Sequence, residues 1–337
     1  MSIYKLDSCV WEITLACCFS CAYCGSRAGQ ARPNELSTSE CLSVVDQLAK
    51  LGCRRVSLIG GEVFMREDWE EIVSALTQKG IRTAIITNGF LFHDRLLSRL
   101  KACQVESVAV SIDGTKDLHD RYRQEGSFDR AVTAIRALTG AGIPASVIST
   151  LNKENVETLE DLYQILSAEN ISAWQLQACS PMGNAALSGI DYHFDFNKVI
   201  RFVERHLPEA PFLLGIADNI GYFTEKEGSL RGIPDGHSPF RGCRAGLSAI
   251  GIDSTGNVRG CESMYDDAFI EGNVRTRSLI DIWNDPDAFA YNRKFTRDLL
   301  TGPCHDCPEG YRCAAGCRSY NYFVHHKPYE APWCART

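Results

Sequence analysis

Residues 9–24 form the stretch CVWEITLACCFSCAYC. Its first six residues, 9–14, are rich in β-branched and aromatic side chains and predict a β-strand. Directly behind this strand, three cysteines follow in the spacing Cys17-x3-Cys21-x2-Cys24. In parallel α/β folds the chemistry lies at the carboxyl ends of the strands, so the stretch predicts both a first strand and a site at its end.

The same alternation of short apolar runs and helical patterns continues to about residue 190. Further strands are predicted at residues 55–59, 83–87, 107–112, 145–150 and 174–178. Ser37 and Glu40 form a capping-box pattern that opens one helix, and Asp68 and Ser127 open two others. Six β–α units indicate an α/β fold with a parallel sheet, either an open or closed barrel or a doubly wound sheet.

The rest of the chain has a different pattern. A helix over residues 196–206 is expected to close the first domain, and the Gly- and Pro-rich residues 225–242 are typical of a linker. Two short strands around a turn at 254–257 and a helix within 278–295 are expected next. We therefore expect a first domain over residues 1–190, a closing helix and linker over 191–242, and a second domain over 243–337.

Composition excludes several classes of protein. Hydrophobic residues at 45% and charged residues at 23% exclude wholesale disorder. A net charge of −7 argues against a nucleic-acid partner. No apolar run reaches the roughly 18 residues of a membrane span, and the first residues lack the order of a signal peptide. A cytoplasmic protein is expected. Its 16 cysteines then indicate metal binding rather than disulfides.

The spacing of the first three cysteines favours an iron–sulfur site. A structural zinc site is closed by four ligands, whereas Cys17, Cys21 and Cys24 have no fourth partner nearby. Three thiolates fit a 4Fe–4S cluster that leaves one iron open to bind a substrate or cofactor. Cys18 breaks the spacing and is expected to pack. The alternative is three buried thiols near a strand end.

The cysteine spacing and the strand ends resemble the radical S-adenosylmethionine (SAM) superfamily. The resemblance implies a partial (β/α)6 TIM-like barrel, and a cluster whose open iron chelates the methionine moiety of SAM. It implies that Tyr23 lies beside the adenine of SAM and that Gly60, Gly61 and Glu62 contact the methionine ammonium. Further SAM contacts are implied at the next two strand ends, from Asn88, Ser111 and Asp113. Arg123 is implied to contact the methionine carboxylate, with Arg121 as the alternative. The loop over residues 177–183 is expected to line the adenine side.

Each of these residues also has a structural interpretation. Gly60, Gly61 and Glu62 alone predict a tight turn followed by a surface glutamate. Ser111 and Asp113 are typical of turns at strand ends, and an arginine beside a helix is often an exposed charge.

Seven cysteines near the carboxyl terminus form a second pattern. In order they are Cys243, Cys261, Cys304, Cys307, Cys313, Cys317 and Cys334. This order resembles the SPASM domain of radical SAM enzymes, which implies two auxiliary iron–sulfur clusters. The implied ligands are Cys243, Cys261 and Cys317 for the first auxiliary cluster. For the second they are Cys304, Cys307, Cys313 and Cys334. Taken without the resemblance, the spacing is also compatible with structural zinc.

The number of cysteines departs from the family pattern. Three thiolates for the open cluster and four for each auxiliary cluster make eleven, whereas the matched motifs supply ten. The first auxiliary cluster is therefore expected to have an open or non-cysteine position, with His237 or the substrate as candidate ligands. Cys179, at the end of the sixth strand, is a candidate catalytic hydrogen donor, a candidate for the missing ligand, or a packing residue.

The resemblance implies three cofactor clusters of the 4Fe–4S type and SAM, which is cleaved reductively to a 5′-deoxyadenosyl radical that abstracts a substrate hydrogen. The implied partners are a flavodoxin- or ferredoxin-type reductant and a ribosomally made peptide, delivered if needed by a separate precursor-recognition protein. A small aminoglycoside- or aminocyclitol-like molecule is the alternative substrate. A non-catalytic iron–sulfur or zinc-binding protein is the alternative of another class.

Overall fold

The computed structural model describes residues 4–221, 226–231 and 242–336. Within them, ten strands form one sheet in the order β10-β9-β8-β1-β2-β3-β4-β5-β6-β7. The strands are β1 Ser8–Thr14, β2 Arg55–Gly60, β3 Arg82–Thr87, β4 Ser107–Ser111, β5 Ala145–Leu151, β6 Ala173–Ala178, β7 Leu213–Ile216, β8 Ala249–Ile252, β9 Asn257–Arg259 and β10 Gly272–Asn273.

The helices of the described residues follow most of these strands. They are α1 Thr38–Lys50, α2 Trp69–Gln78, α3 Asp94–Ala102, α4 Lys116–Tyr122, α5 Ser127–Gly140, α6 Leu159–Ser167, α7 Phe196–His206, α8 Glu227–Leu230, α9 Leu279–Asn284, α10 Ala290–Arg293, α11 Gly310–Cys313 and α12 Arg318–His325. None of the helices described is both long and apolar enough to cross a bilayer.

The sheet is a partial barrel, as expected. Strands β1 to β7 pair in sequence order and in parallel, and β8 joins in parallel on the other side of β1. β9 pairs in antiparallel with β8 on one side and with β10 on the other. Because β7 and β10 are the two edges of the sheet, the barrel stays open. The carboxyl ends of eight parallel strands therefore share one rim.

Alternation along the strands separates a core face from an inner face. On β1, Trp11 and Ile13 are 0% and 1% exposed and pack in the core under the helices. The opposite face carries small and polar side chains that stay partly exposed, such as Ser57, Ser111 and Gln177. Parts of the inner face are thus open to solvent.

The predicted capping box is present at α1. The Ser37 hydroxyl accepts the N–H of Glu40 at 3.3 Å, and the Glu40 carboxylate accepts the N–H of Ser37 at 2.8 Å. These two hydrogen bonds fix the start of α1. The apolar face of the helix, which includes Val44 and Leu48, packs on the sheet. The cysteines at positions 9, 41, 53 and 103, expected in the core, are all buried.

Two expectations for the chain beyond residue 190 were wrong. The predicted helix 196–206 is present as α7, but a seventh parallel strand, β7, follows it and pairs with β6. Four residues are too few to show a period, so this strand was missed. The helix expected within 278–295 is two helices, α9 and α10, because Asp285 and Pro286 interrupt it.

The two short strands expected around residues 254–257 are present as β8 and β9. β8 also pairs with β1, so the sheet continues from the first part of the chain into the cysteine-rich tail. Most of the expected linker, His237 included, lies outside the described residues.

Candidate active site

The loop that follows β1 brings Cys17, Cys21 and Cys24 to the rim of the barrel, each partly exposed. The loop is closed by the N–H of Cys17, which donates to the Gly29 carbonyl at 2.9 Å. Backbone N–H groups point at two of the sulfurs, from Phe19 to Cys17 at 3.4 Å and from Ala28 to Cys24 at 3.3 Å. Such donors favour thiolates and the sulfur ligands of a cluster.

Cys18 is not a core residue, which corrects the expectation that it packs. It is partly exposed, and the side-chain amide of Asn88 donates to its sulfur at 3.5 Å. The same amide lies 4.0 Å from the sulfur of Cys17. Asn88, at the end of β3, therefore faces the cysteine loop.

The glycine pair after β2 allows two backbones to touch. A Cβ on Gly60 would lie 2.4 Å from the Thr14 carbonyl oxygen, and one on Gly61 would lie 2.2 Å from that of Ala16. The N–H of Gly61 donates to Thr14 at 2.9 Å, and the N–H of Glu62 donates to Ala16 at 2.7 Å. The Gly-Gly-Glu turn is thereby fixed against the chain that leads into Cys17.

Glu62 is buried, with 0% exposure, so the alternative of a surface glutamate was wrong. Its carboxylate accepts the Thr87 hydroxyl at 2.9 and 3.0 Å and the Asn88 N–H at 2.9 Å. Burial raises the pKa of Glu62 to about 7, against the effect of these donors. A buried carboxylate held at the end of β2 is suited to accept a cationic group of a ligand.

A second buried carboxylate, Asp113, organises the rim after β4. Its oxygens accept the Tyr23 hydroxyl, Nε of Arg123, and the Thr150 N–H at 2.7 Å. The Arg123 side chain is only 12% exposed and lies over the Tyr23 ring, so the alternative of an exposed charge was wrong for this arginine. Asp113 thus links the cysteine loop to the ends of β4 and β5.

The two remaining candidates near this carboxylate differ in placement. Arg121, the alternative to Arg123, is an exposed arginine that pairs with Glu154. Ser111 ends β4 on the partly exposed inner face. The structure therefore brings Arg123 into the candidate site and leaves Arg121 outside it.

The loop after β6 packs directly on the cysteine loop. A Cβ on Gly183 would lie 2.2 Å from the Gly25 carbonyl oxygen. Asn184, which sequence analysis missed, donates its N–H to Cys24 at 2.8 Å and its side-chain amide to the Cys21 carbonyl at 2.9 Å. No sequence signal marks Asn184, because a carbonyl acceptor more than 150 residues away becomes visible only in the fold.

Cys179 is 2% exposed and packs with Tyr23 and Ala185. Burial, followed by the Asp113 charge, raises the pKa of its thiol to about 12. The structure therefore places Cys179 beside the candidate SAM site, as a neutral and enclosed thiol.

The first set of tail cysteines comes together from three distant positions. Cys243 and Cys261 lie against a buried apolar cluster containing Met264 and Phe269. Burial, and then the neighbouring Cys243 thiol, raises the pKa of Cys261 to about 12 and that of Cys317 well above its ordinary value. These three thiols therefore lie within electrostatic reach of one another.

The second set lines a cavity. Cys304, Cys307, Cys313 and Cys334 surround it together with Gly310 and Ala331, among others. Burial, and then the Cys334 and Cys304 thiols, raises the pKa of Cys313 to about 12. Across the residues described, no three acidic, histidine or cysteine side chains converge closely enough to hold a single metal ion. The four sulfurs instead surround a space, which suits a cluster of several atoms.

Arg318 is a further residue that sequence analysis missed. It is 1% exposed, and burial lowers the pKa of its guanidinium. The thiols of Cys243, Cys317 and Cys313, members of both sets, act against this shift. Its Nε and Nη2 have no hydrogen-bond partner among the described residues. A buried cation between two sets of thiols fits a pair of anionic clusters.

Comparison with known proteins identifies both halves of this arrangement. A model of the radical SAM superfamily matches residues 11–166, and a model of an iron–sulfur cluster-binding domain, SPASM, matches residues 243–308. The first match contains the cysteine loop and the rim residues up to Arg123. The second contains Cys243, Cys261, Cys304 and Cys307.

Curated relatives cover nearly the whole chain. An AdoMet-dependent heme synthase from Nitratidesulfovibrio vulgaris is 29% identical over 96% of this chain and 91% of its own length. A mycofactocin maturase from Mycolicibacterium smegmatis is 28% identical over 93% of this chain and 78% of its own length. Among solved structures, Streptococcus suis SuiB bound to S-adenosylmethionine has a similar fold, with a TM-score of 0.78 at 18% identity over 97% of this chain and 76% of that one.

Proposed function

Because this chain belongs to the radical SAM superfamily and carries a SPASM domain, we propose that it is a maturase that abstracts a hydrogen atom from a ribosomally made peptide. The observation that carries the proposal is the single rim formed by the cysteine loop, the Gly-Gly-Glu turn and the Asp113 carboxylate. When bound, the open 4Fe–4S cluster and SAM supply an adenosyl radical that removes the hydrogen.

The residues of the rim have distinct roles in this proposal. Glu62, fixed by Thr87 and Asn88, accepts the methionine ammonium. Nε of Arg123 donates to Asp113. Its two Nη groups have no hydrogen-bond partner among the described residues, so they can bind the methionine carboxylate. Tyr23, held by Asp113 and packed on Tyr122, provides a ring for the adenine.

The cofactor ligands follow from the three groups of cysteines. Cys17, Cys21 and Cys24 hold the open cluster, and Cys243, Cys261 and Cys317 hold the first auxiliary cluster. The remaining four, Cys304, Cys307, Cys313 and Cys334, line one cavity and hold the second. Metal binding removes the protons of these thiols and compensates the charge of the buried thiolates.

A peptide substrate is supported by the mycofactocin maturase, which is similar over 93% of this chain. The partly exposed inner face of the sheet is the surface on which an extended segment would lie. The outcome is a crosslink, an epimerisation or an oxidation. In an oxidation, the tail cysteines would hold clusters that could supply an acceptor for the second electron. The proposal also includes a flavodoxin- or ferredoxin-type reductant, a precursor-recognition protein and a cytoplasmic location.

A second candidate function has a small-molecule substrate. It is favoured by the heme synthase, which is similar over 96% of this chain and 91% of its own length. An aminocyclitol-like substrate belongs to the same alternative. Both candidates require the same rim and the same three clusters, so only the substrate separates them.

Anaerobic reconstitution tests the proposal. Three 4Fe–4S clusters correspond to about 12 iron atoms per chain, and dithionite with SAM is expected to release 5′-deoxyadenosine. Incubation with candidate precursor peptides, followed by mass spectrometry, then identifies the modified residue. Zinc in place of iron, or no 5′-deoxyadenosine from the iron-loaded protein, would contradict the enzymatic function. Modification of a tetrapyrrole or aminosugar instead of a peptide would favour the second candidate.

A further inference from the structure

A buried carboxylate without a partner lies where the tail meets the barrel. Glu262, the residue after Cys261, is 6% exposed, and neither of its carboxylate oxygens has a hydrogen-bond partner among the described residues. Two other buried carboxylates are close enough to act on it, Glu12 on β1 and Asp253 after β8, at 1% and 3% exposure. Buried polar atoms are normally hydrogen-bonded, so a buried carboxyl with two unpartnered oxygens requires a compensating group.

The two arginines of this cluster are already committed to the other two carboxylates. Arg32 pairs with Glu12 at 2.5 Å, and Arg259 pairs with Asp253 at 2.9 Å. Asp253 also accepts from the Thr255 hydroxyl at 2.8 Å. Both guanidinium groups are therefore engaged, and Glu262 is the carboxyl of the three that has no partner among the described residues.

The cluster lies on the inner face of the barrel, below the candidate SAM site. Glu12 alternates with the core residues Trp11 and Ile13, and thus projects to the opposite side of β1. A Cβ on Gly251 would lie 2.3 Å from the backbone nitrogen of Glu262, so the chain at Glu262 rests directly on β8. Two residues beyond Glu12, Thr14 contacts the Gly-Gly-Glu turn.

One side of the cluster reaches solvent. The Arg32 side chain is 21% exposed, and its Nη2 donates to the hydroxyl of Tyr265, which is also partly exposed. The cluster is thus open to solvent at Arg32 and Tyr265, and both of its arginines are held by Glu12 and Asp253.

We infer that Glu262, beside Glu12, is the subsite that binds an alkylammonium group of the substrate. The N–H donors of such a group would satisfy the free oxygens of Glu262, and its charge would lie beside the buried carboxylates of Glu12 and Asp253. The group is a lysine side chain or the amino terminus of a peptide, or the amine of an aminosugar. This inference rests on the proposed function, because it takes the inner face as the substrate site.

The test uses the reconstituted, SAM-loaded holoenzyme and small probes. Thermal melting is measured with Nα-acetyl-lysine amide, with the neutral isostere Nα-acetyl-norleucine amide and with 2-deoxystreptamine. A ligand that binds only the folded protein raises its melting temperature. The lysine probe is expected to raise the melting temperature of the wild type. Its apparent affinity is expected to be about tenfold weaker in Glu262→Gln. The norleucine probe is expected to have no effect on the melting temperature. A response to 2-deoxystreptamine alone would assign the amine to an aminosugar.

Two further variants keep the result interpretable. Glu125→Gln removes an exposed carboxylate and is expected to match the wild type. Glu12→Gln is expected to weaken the lysine probe as Glu262→Gln does, because it frees Arg32 to pair with Glu262. This second variant decides the question if Glu262→Gln fails to assemble its clusters.

The subsite is contradicted if both variants bind the lysine probe as the wild type does, or if the norleucine probe binds equally. It is also contradicted if Glu262→Gln melts higher while no probe shifts the wild type, since Glu262 would then be a protonated structural carboxyl. Release of 5′-deoxyadenosine is measured on the same samples. If the lysine probe binds but no 5′-deoxyadenosine is released, the proposed function is contradicted and the subsite is not.

Discussion

The backbone N–H of Asn88 lies 2.9 Å from Oε2 of Glu62, and this bond joins the end of β3 to the turn after β2. The hydroxyl of the preceding residue, Thr87, contacts both oxygens of the same carboxylate. Glu62 is therefore fixed before any ligand arrives, beside the loop that carries Cys17. A fixed acceptor loses little side-chain entropy when it binds an ammonium group.

Glu62→Gln is expected to weaken SAM binding while leaving the iron content unchanged. The amide keeps the shape of the carboxylate but loses its charge, which for a charge-assisted hydrogen bond is worth roughly 1.5–3 kcal/mol, or about 10- to 100-fold in affinity. Anaerobic equilibrium dialysis with SAM measures the change. Glu71→Gln, an exposed carboxylate on α2, is the matched control. Equal affinity for SAM in the wild type and Glu62→Gln would remove Glu62 from the site.

The affinity for SAM is expected to depend on pH through the same carboxyl. Burial raises the pKa of Glu62 from 4.5 to about 7, so in the SAM-free protein a growing fraction is protonated as the pH falls below that value. Affinity should then fall by up to about tenfold per pH unit below pH 7. The contribution of Glu62 to stability has the opposite sign. The folded state holds this proton more tightly than the unfolded state, so the contribution is lost as pH rises from 4.5 to about 7. A pH profile of Glu62→Gln that follows the wild type would contradict this account.

Gly61→Ala is expected to disturb the cysteine loop. The new methyl carbon would lie 2.2 Å from the Ala16 carbonyl oxygen, so one of the two backbones must move. Forced overpacking typically costs about 1–3 kcal/mol, and the open cluster should lose iron. Gly140→Ala is the control, because a Cβ there meets nothing within 4 Å. Iron content and thermal melting of the two variants separate a local effect from a general one, and identical behaviour would show that the contact with Ala16 is unimportant.

The two tail clusters are expected to respond to different cysteines. Cys243→Ala and Cys317→Ala should each remove the first auxiliary cluster, and Cys304→Ala and Cys334→Ala the second, at about four iron atoms per cluster. Electron paramagnetic resonance (EPR) spectra of the reduced variants then fall into two matching pairs. Any other grouping, such as Cys243→Ala resembling Cys304→Ala, would mean that the ligand sets are assigned wrongly.

Local signals in the sequence predicted most of the fold. Six strands and the capping box at Ser37 follow from periodicity and from residue types that act within a few positions. The short strand β7 carries no period, and β8 joins β1 only through pairing across the chain. Such contacts depend on tertiary packing, which no local pattern records.

The sequence pointed to the cysteines of the candidate site but not to the residues that support them. Cysteine spacing pointed to Cys17, Cys21 and Cys24, and the resemblance pointed to the two tail sets and to Glu62 and Asp113. Asn184, Arg318 and Glu262 were missed. Asn184 and Arg318 act on residues that are distant in sequence. Glu262 stands out only because it is buried and has no hydrogen-bond partner among the described residues. Only the folded chain shows these relations.

The proposed function requires that the cluster held by Cys17, Cys21 and Cys24 has an iron free to bind SAM. Its most direct test is the EPR spectrum of the dithionite-reduced protein before and after SAM is added, recorded on the variant Cys317→Ala/Cys334→Ala so that the auxiliary clusters do not overlap. We expect the g values to shift on addition of SAM and the signal to vanish when Cys21 is also replaced by alanine. A signal that SAM leaves unchanged would contradict the account.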